Sequence, residues 1–291
     1  TVTGSFRWHF PAHDAEKQSR RIQESFLPPR QYLLAERFCL LRSSGIVAVS
    51  DLVKKQMLRV HGGCAGRIRT IHNGHEPSRN GRGLHPYQSR NIQAGPKRFT
   101  AICVARLHRI KNIDHLIKAW AMVRYPAKRL LLVGSGEEMP ALERLVTKLH
   151  LNDTVVFLGE RLDVPYHLSH ADVFILPSLY EACGSAAIEA MGAGLPCITL
   201  KNVDGITEVA TSGEINIDGV TGFCVDPKDP RDMAGRIDFL ADHPDIRDRM
   251  GRQSYERART HFMWEHAAQA YVTFARDIVG RSRRYRRDVS H

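Results

Sequence analysis

The chain has 291 residues, 43% hydrophobic and 25% charged, a globular composition that excludes collagen-like, disordered and disulfide-scaffold classes. Forty-two Lys and Arg against 31 Asp and Glu leave a net charge of +11, which suits an anionic ligand, a nucleic acid or an acidic membrane surface without choosing among them. No apolar run approaches the ~20 residues of a membrane span.

No secretory signal is read at the start, and residue 1 is Thr rather than Met, so an internal or trimmed start is expected. Ile46 to Val49 reads as a buried strand. Ser50 follows as an N-cap, and Leu52, Val53, Met57 and Leu58 fall at helical spacing. Ile68 to Ile71 reads as a strand stopped by Asn73-Gly74. Residues 75–97 are polar and rich in Gly and Pro, the best linker candidate. A regular alternation comes next. Strands are expected at Phe99–Ala105, Leu130–Val133, Val155–Leu158, Val173–Leu176, Cys197–Leu200 and Gly222–Val225. Helices are expected at Asn112–Val123, around Leu142–Leu149 and at Ser185–Met191, and from the last strand to the end. The final amphipathic element spans about Trp264–Val279 and precedes a basic tail with Arg281, Arg283, Arg284, Arg286 and Arg287. Alternating strands and helices predict an α/β fold with a parallel sheet covered on both faces.

The six cysteines are scattered, with no C-x-x-C, so a reduced, cytosolic setting is the simplest expectation. No G-x-x-x-x-G-K-[ST] is present, and no two aspartates stand at D-x-D spacing. The latter argues against a donor diphosphate held through a carboxylate-bound metal. Val133-Gly134-Ser135-Gly136 turns tightly after a strand, a weak sign of a close ligand approach.

Glu181 and Glu189 are separated by seven residues that include Gly184 and Ser185, beyond the strand 173–176. The carboxyl edge of a doubly wound sheet is where ligands bind. Gly184 lets a backbone come close, the adjoining helix start attracts phosphate, and carboxylates accept from vicinal hydroxyls. Arg106 and Lys111 emerge beyond the strand 99–105, on the same edge. Preorganised cations there would stabilise a departing diphosphate. The pattern suits a sugar nucleotide.

These segments resemble, in order, the nucleotide-sugar half of the retaining glycosyltransferases of the GT-B fold, family 4, also called group 1. The matching stretches are Val49-Ser50, Ile71 to Gly74, Arg106 to Asn112, Val133 to Gly136, Phe157 to Gly159, Ala171 to Ser178, Glu181 to Glu189, Gly192 to Pro196, Gly205 to Val209 and Gly219 to Phe223. The resemblance implies Rossmann-like doubly wound sheets in two domains. A truncated acceptor-side domain and linker would occupy 1–95, a complete donor domain 96–265, and a crossover helix with its basic tail 266–291. It implies that Arg106 and Lys111 bind the donor diphosphate, Glu181 the sugar hydroxyls and Glu189 the ribose. Gly184 and Ser185 would lie against phosphates or sugar, and Gly159, Glu160 and Arg161 near the base. It further implies transfer from a UDP- or GDP-sugar with retention, without divalent metal or other cofactor, and with Glu181 binding rather than attacking. The implied acceptor is a glycan or lipid-linked glycan, in the cytoplasm, with peripheral contact at an anionic membrane face and no nucleic acid. Another GT-B enzyme, such as an epimerase or phosphorylase, and a non-catalytic nucleotide-sugar-binding fragment are the alternatives. Three departures stand out. Thr3 replaces a common His, with His9 and His13 nearby. His72 replaces the proline common before Asn-Gly. Thr211 to Ile217 reads as an insertion.

Overall fold

A computed structural model describes residues 37–76, 98–203 and 207–288, with side chains up to Gly280. Thr3, His9, His13, Gly205 and most of the linker at 75–97 lie outside the described residues.

The first described unit is small. Strands β1 (Ile46–Ala48) and β2 (Ile68–Thr70) pair in parallel through the crossover helix α1 (Asp51–Val60). Ser50 starts α1 as expected, its hydroxyl accepting from Val53 N at 3.1 Å.

The main unit is a six-stranded sheet in the order β10-β8-β6-β3-β4-β5. Its strands are β3 (Phe99–Val104), β4 (Lys128–Val133), β5 (Val155–Gly159), β6 (Val173–Leu176), β8 (Cys197–Leu200) and β10 (Gly222–Val225), every neighbouring pair parallel. The expected strands are all present, because each is a short apolar run long enough to be buried on both faces. Alternate side chains go to opposite faces. Phe99, Ala101, Cys103, Leu130 and Leu132 join one apolar cluster, and Ile102, Leu131 and Val133 the other.

Helices α2 (Ile113–Met122), α3 (Met139–Lys148) and α6 (Pro230–Asp242) cover the first face. Helices α4 (Val164–Ser169), α5 (Ser185–Gly192) and α7 (Pro244–His261) cover the second. Trp120 on α2 is fully buried and satisfies its indole by donating to Thr154 Oγ1 at 3.2 Å. All six cysteines are free, and burial pushes the Cys103 thiol up to about 12. Among the described residues, no helix is long and apolar enough to cross a membrane.

One expectation needs correction. The last helix, α8 (Trp264–Asp288), does not stop near Val279 but runs through the arginine-rich segment, since Arg is a good helix former and neither Gly nor Pro comes after Gly280 in it. It packs across the small unit. A Cβ on Gly45 would fall 2.3 Å from Ile278 Cδ1, and Arg69 pairs with Asp277 at 3.1 Å. Residues 211–217 belong to the core of the large unit. Thr211, Ile215 and Asn216 are fully buried, and the Asn216 amide donates to Cys197 O and Phe223 O, both at 3.1 Å, tying β8 to β10. Within the connection from β6 to α5, Glu181 lies in a two-residue strand β7 (Tyr180–Glu181), paired with β9 (Glu208–Val209).

Candidate functional site at the carboxyl edge

The chain leaves β3 for β4 and β5 on one side, then returns to place β6 on the other. Strand order therefore reverses between β3 and β6, and a crevice opens beyond their carboxyl ends. The loops after these two strands carry Lys111 and Glu181. Leu179 N donates to Ile110 O at 2.8 Å, which ties the two loops together.

Lys111 ends a 3-10 turn, Arg109–Lys111, that His108 caps by accepting from Ile110 N. Its ammonium donates to Glu181 Oε2 at 2.5 Å, both side chains being mostly buried. Ser178 Oγ donates to the same carboxylate oxygen at 3.4 Å, and Gly184 N to Oε1 at 3.2 Å. One carboxylate thus meets an ammonium, a hydroxyl and a backbone amide. Gly184 holds φ +72 at the start of α5, and a Cβ there would fall 2.3 Å from Thr211 Cγ2. The exposed Ser185 opens the helix, its hydroxyl accepting from Asn73 Nδ2 at 3.5 Å. The carboxylate of Glu189, one turn along α5, meets no hydrogen-bond or ion-pair partner among the described residues, and burial raises it above the ordinary range.

The remaining expected residues lie along the same edge but farther out. Arg106 is exposed, and its guanidinium stands 3.8 Å from Glu137, which also meets His108 Nε2 at 3.2 Å. Gly159, at φ +66, accepts from Gly134 N at 2.8 Å, and Ser135 Oγ donates to Glu160. Arg161 turns to Asp163 in a bidentate pair at 2.8 Å, which holds the Asp163 carboxyl down to about 2. The structure therefore joins Lys111, Glu181, Gly184 and Ser185. It turns Arg106 toward Glu137 and leaves Arg161 in a local pair with Asp163.

Gly134 and Gly136 are required by the packing of the loop itself. A Cβ on Gly134 would fall 2.1 Å from Ala105 O, and one on Gly136 2.2 Å from Leu107 O. What approaches these glycines is the backbone that carries Arg106. Ser178, Glu137 and Asn73 were missed as site residues. Each enters through a fold contact, and no spacing in the sequence announces it.

The family model of glycosyl transferases group 1 matches residues 87–257, more than half of the chain. The chain belongs to this family. A group 1 assignment agrees with the relatives. The N-acetyl-alpha-D-glucosaminyl L-malate synthase of Bacillus anthracis is 30% identical over 179 residues, which cover 61% of this chain and 45% of that protein. The glycogen synthase of Mycobacterium tuberculosis is 27% identical over 245 residues, 83% of this chain and 56% of that one. The chain spans about half the length of these curated relatives. Among solved structures, the sucrose-phosphate synthase of Thermosynechococcus elongatus superposes with a TM-score of 0.72 at 26% identity, covering 88% of this chain and 64% of that one. Anabaena HepE, solved with UDP and glucose, gives 0.73 at 22% identity, over 86% and 68%. The α/β, parallel-sheet fold is that of the GT-B glycosyltransferases.

Proposed function

We propose that this group 1 chain moves a sugar from a nucleoside-diphosphate sugar, UDP- or GDP-linked, to a glycan or lipid-linked glycan, retaining the anomeric configuration and using no metal. Residues 96–265 form the donor-binding part, 1–95 belong to the acceptor side, and 266–291 cross back to it. The observation that carries the reading is the Lys111–Glu181 contact at the β3/β6 switch point, beside the start of α5. A cation, a carboxylate and free helix amides stand together there. They match a diphosphate joined to a polyhydroxylated ring.

In this reading Lys111 and Arg106 take up charge on the departing diphosphate, which replaces the usual role of a metal. Glu181 accepts from the sugar hydroxyls and so orients the ring, and the Gly184 and Ser185 segment lies against phosphate or sugar. Glu189 faces the ribose, and Gly159, Glu160 and Arg161 line the base. The work is done in the cytoplasm. The arginine-rich end of α8 supports contact with an anionic membrane face.

Calorimetric titration with UDP-, GDP- and ADP-sugars tests the donor class. One of them is expected to bind wild type, and Lys111→Ala to lose that binding by at least about tenfold, the worth of a charge-assisted hydrogen bond. Protein that binds none of them would sink the reading. With an acceptor in hand, EDTA is expected to leave transfer unchanged, and product anomers to keep the donor's configuration. An isomerised donor with no transfer product would instead mark an epimerase.

A further inference from the structure

We propose that Glu214 and His72 are positioning residues for the donor site, holding the Asn73 turn against the start of α5. The nature of what that loop binds rests on the function proposed above. The contact joins His72, just before the Asn73 turn, to Glu214 in the buried 211–217 segment. They lie 142 positions apart in the chain and meet at 2.6 Å, His72 Nε2 to Glu214 Oε1.

Glu214 is fixed from several directions. Arg257 on α7 donates to the backbone oxygens of Glu214 and Ile215, at 2.6 and 2.8 Å. The Glu214 carboxylate then reaches the first turn of α1, accepting from Asp51 N at 2.6 Å and Leu52 N at 3.4 Å. A carboxylate belongs at that end of a ten-residue helix, where amides are unpaired and the dipole is positive. With its backbone anchored and its carboxylate on the helix, Glu214 presents a fixed acceptor to His72. The His72 ring is also set edge-on to Phe262, centroids 5.4 Å apart. It has little freedom left.

Position 72 sets the path of the turn at Asn73. The Asn73 amide donates to Ser185 Oγ, and the Cys183 thiol meets the Asn73 backbone. Both partners flank Gly184, whose amide holds Glu181. Beyond the turn, Gly74 lies against Trp264, and His75 N donates to Phe262 O at 2.6 Å. The turn is thus pinned downstream by backbone contacts and upstream by the His72 side chain, through Glu214 and the Phe262 ring. Without the Glu214–His72 pair, the loop 183–185 keeps its own bonds but loses the surface that sets it.

Amide hydrogen exchange on the whole chain, free of nucleotide, combined with titration of UDP, GDP and ADP, tests this. Glu214→Ala and His72→Ala are expected to speed exchange at residues 183–187. Each is also expected to weaken the nucleoside diphosphate that wild type prefers by about fivefold to tenfold, with the double variant no worse than Glu214→Ala. Glu214→Gln, which still accepts from Asp51 N, should recover most of both. If Glu214→Ala does not fold, His72→Phe keeps the ring on Phe262, loses the carboxylate, and makes the same comparison. Unchanged exchange at 183–187 in a folded variant overturns the proposal. Faster exchange with unchanged nucleotide affinity also overturns it, because the pair is then a structural brace only. Wild type that takes none of the three nucleotides overturns the function reading instead, while the exchange comparison still decides whether the pair holds the turn.

Discussion

Lys111 and Glu181 neutralise each other across 2.5 Å. Under the proposed function, a nucleotide sugar has to separate them. In the proposed function the diphosphate replaces Glu181 on the ammonium, and sugar hydroxyls replace Lys111 on the carboxylate. Glu181→Gln should therefore split two properties that most site variants lose together. Transfer is expected to fall by about 10²–10³-fold, as when an oriented transition-state contact is removed. UDP or GDP without its sugar should bind at least as tightly as to wild type, since Lys111 is freed from its charged partner. Calorimetry of the bare nucleotide checks this, and a large loss of affinity would mean that Glu181 touches the nucleotide and not the sugar. Both residues were readable in the sequence, because each sits in a compact local motif after a recognisable strand. Their pairing was not readable. It spans 70 positions and depends on where β6 is laid beside β3.

The strands were legible because buried parallel strands are short apolar runs, and their bounds agree with the sequence within a residue or two. Elements without such a signal were missed. A two-residue strand such as β7 has no period, and α4, six residues long, is too short to show a helical one. The glycines of the β4–α3 loop show why motif and meaning can part. Their spacing was visible, but the neighbour that forbids a side chain is the Ala105–Leu107 backbone, which only the fold supplies. Gly134→Ala should cost about 2–4 kcal/mol, combining a clash at 2.1 Å with an L residue forced to φ +130. It should also move the Arg106 loop, so that donor affinity falls further than stability at a temperature well below unfolding would explain. Gly235→Ala is the control. Gly235 lies inside α6 with open space where a Cβ would go, and the change should stabilise by about 0.5–1 kcal/mol. Chemical denaturation of both variants measures the difference. A Gly134→Ala protein as stable as wild type would contradict the packing described.

At the scale of the molecule, the small β1–α1–β2 unit and the large sheet are joined by a few side chains, by α8 and by the turn at 73–75. His75 sits in that turn, its ring against Gly192 and its backbone bonded to Phe262 and Trp264. Burial pushes its imidazole below the ordinary value near 6.5, against the pull of Glu76. His115 on α2 is shifted the same way, burial outweighing Asp114, Asp229 and Asp226. A histidine with a lowered folded pKa binds its proton more readily once unfolded. Its contribution to stability is complete above about pH 6.5 and is lost as pH falls toward the folded value. Glu189 works in the opposite sense, because burial raises its carboxyl: its stabilising share is present below its unfolded value of 4.5 and lost as pH rises through the folded one. The two effects oppose each other, and two histidines stand against one carboxyl. Melting temperature is expected to fall as pH drops from about 7 toward 5.5. His115→Leu, which keeps the volume and removes the proton site, should flatten that slope without lowering stability at pH 7. His75→Gln should flatten it as well, at some cost in packing against Gly192. A melting temperature that is level across this range, or that rises toward acid, would show that neither imidazole is held neutral by the fold.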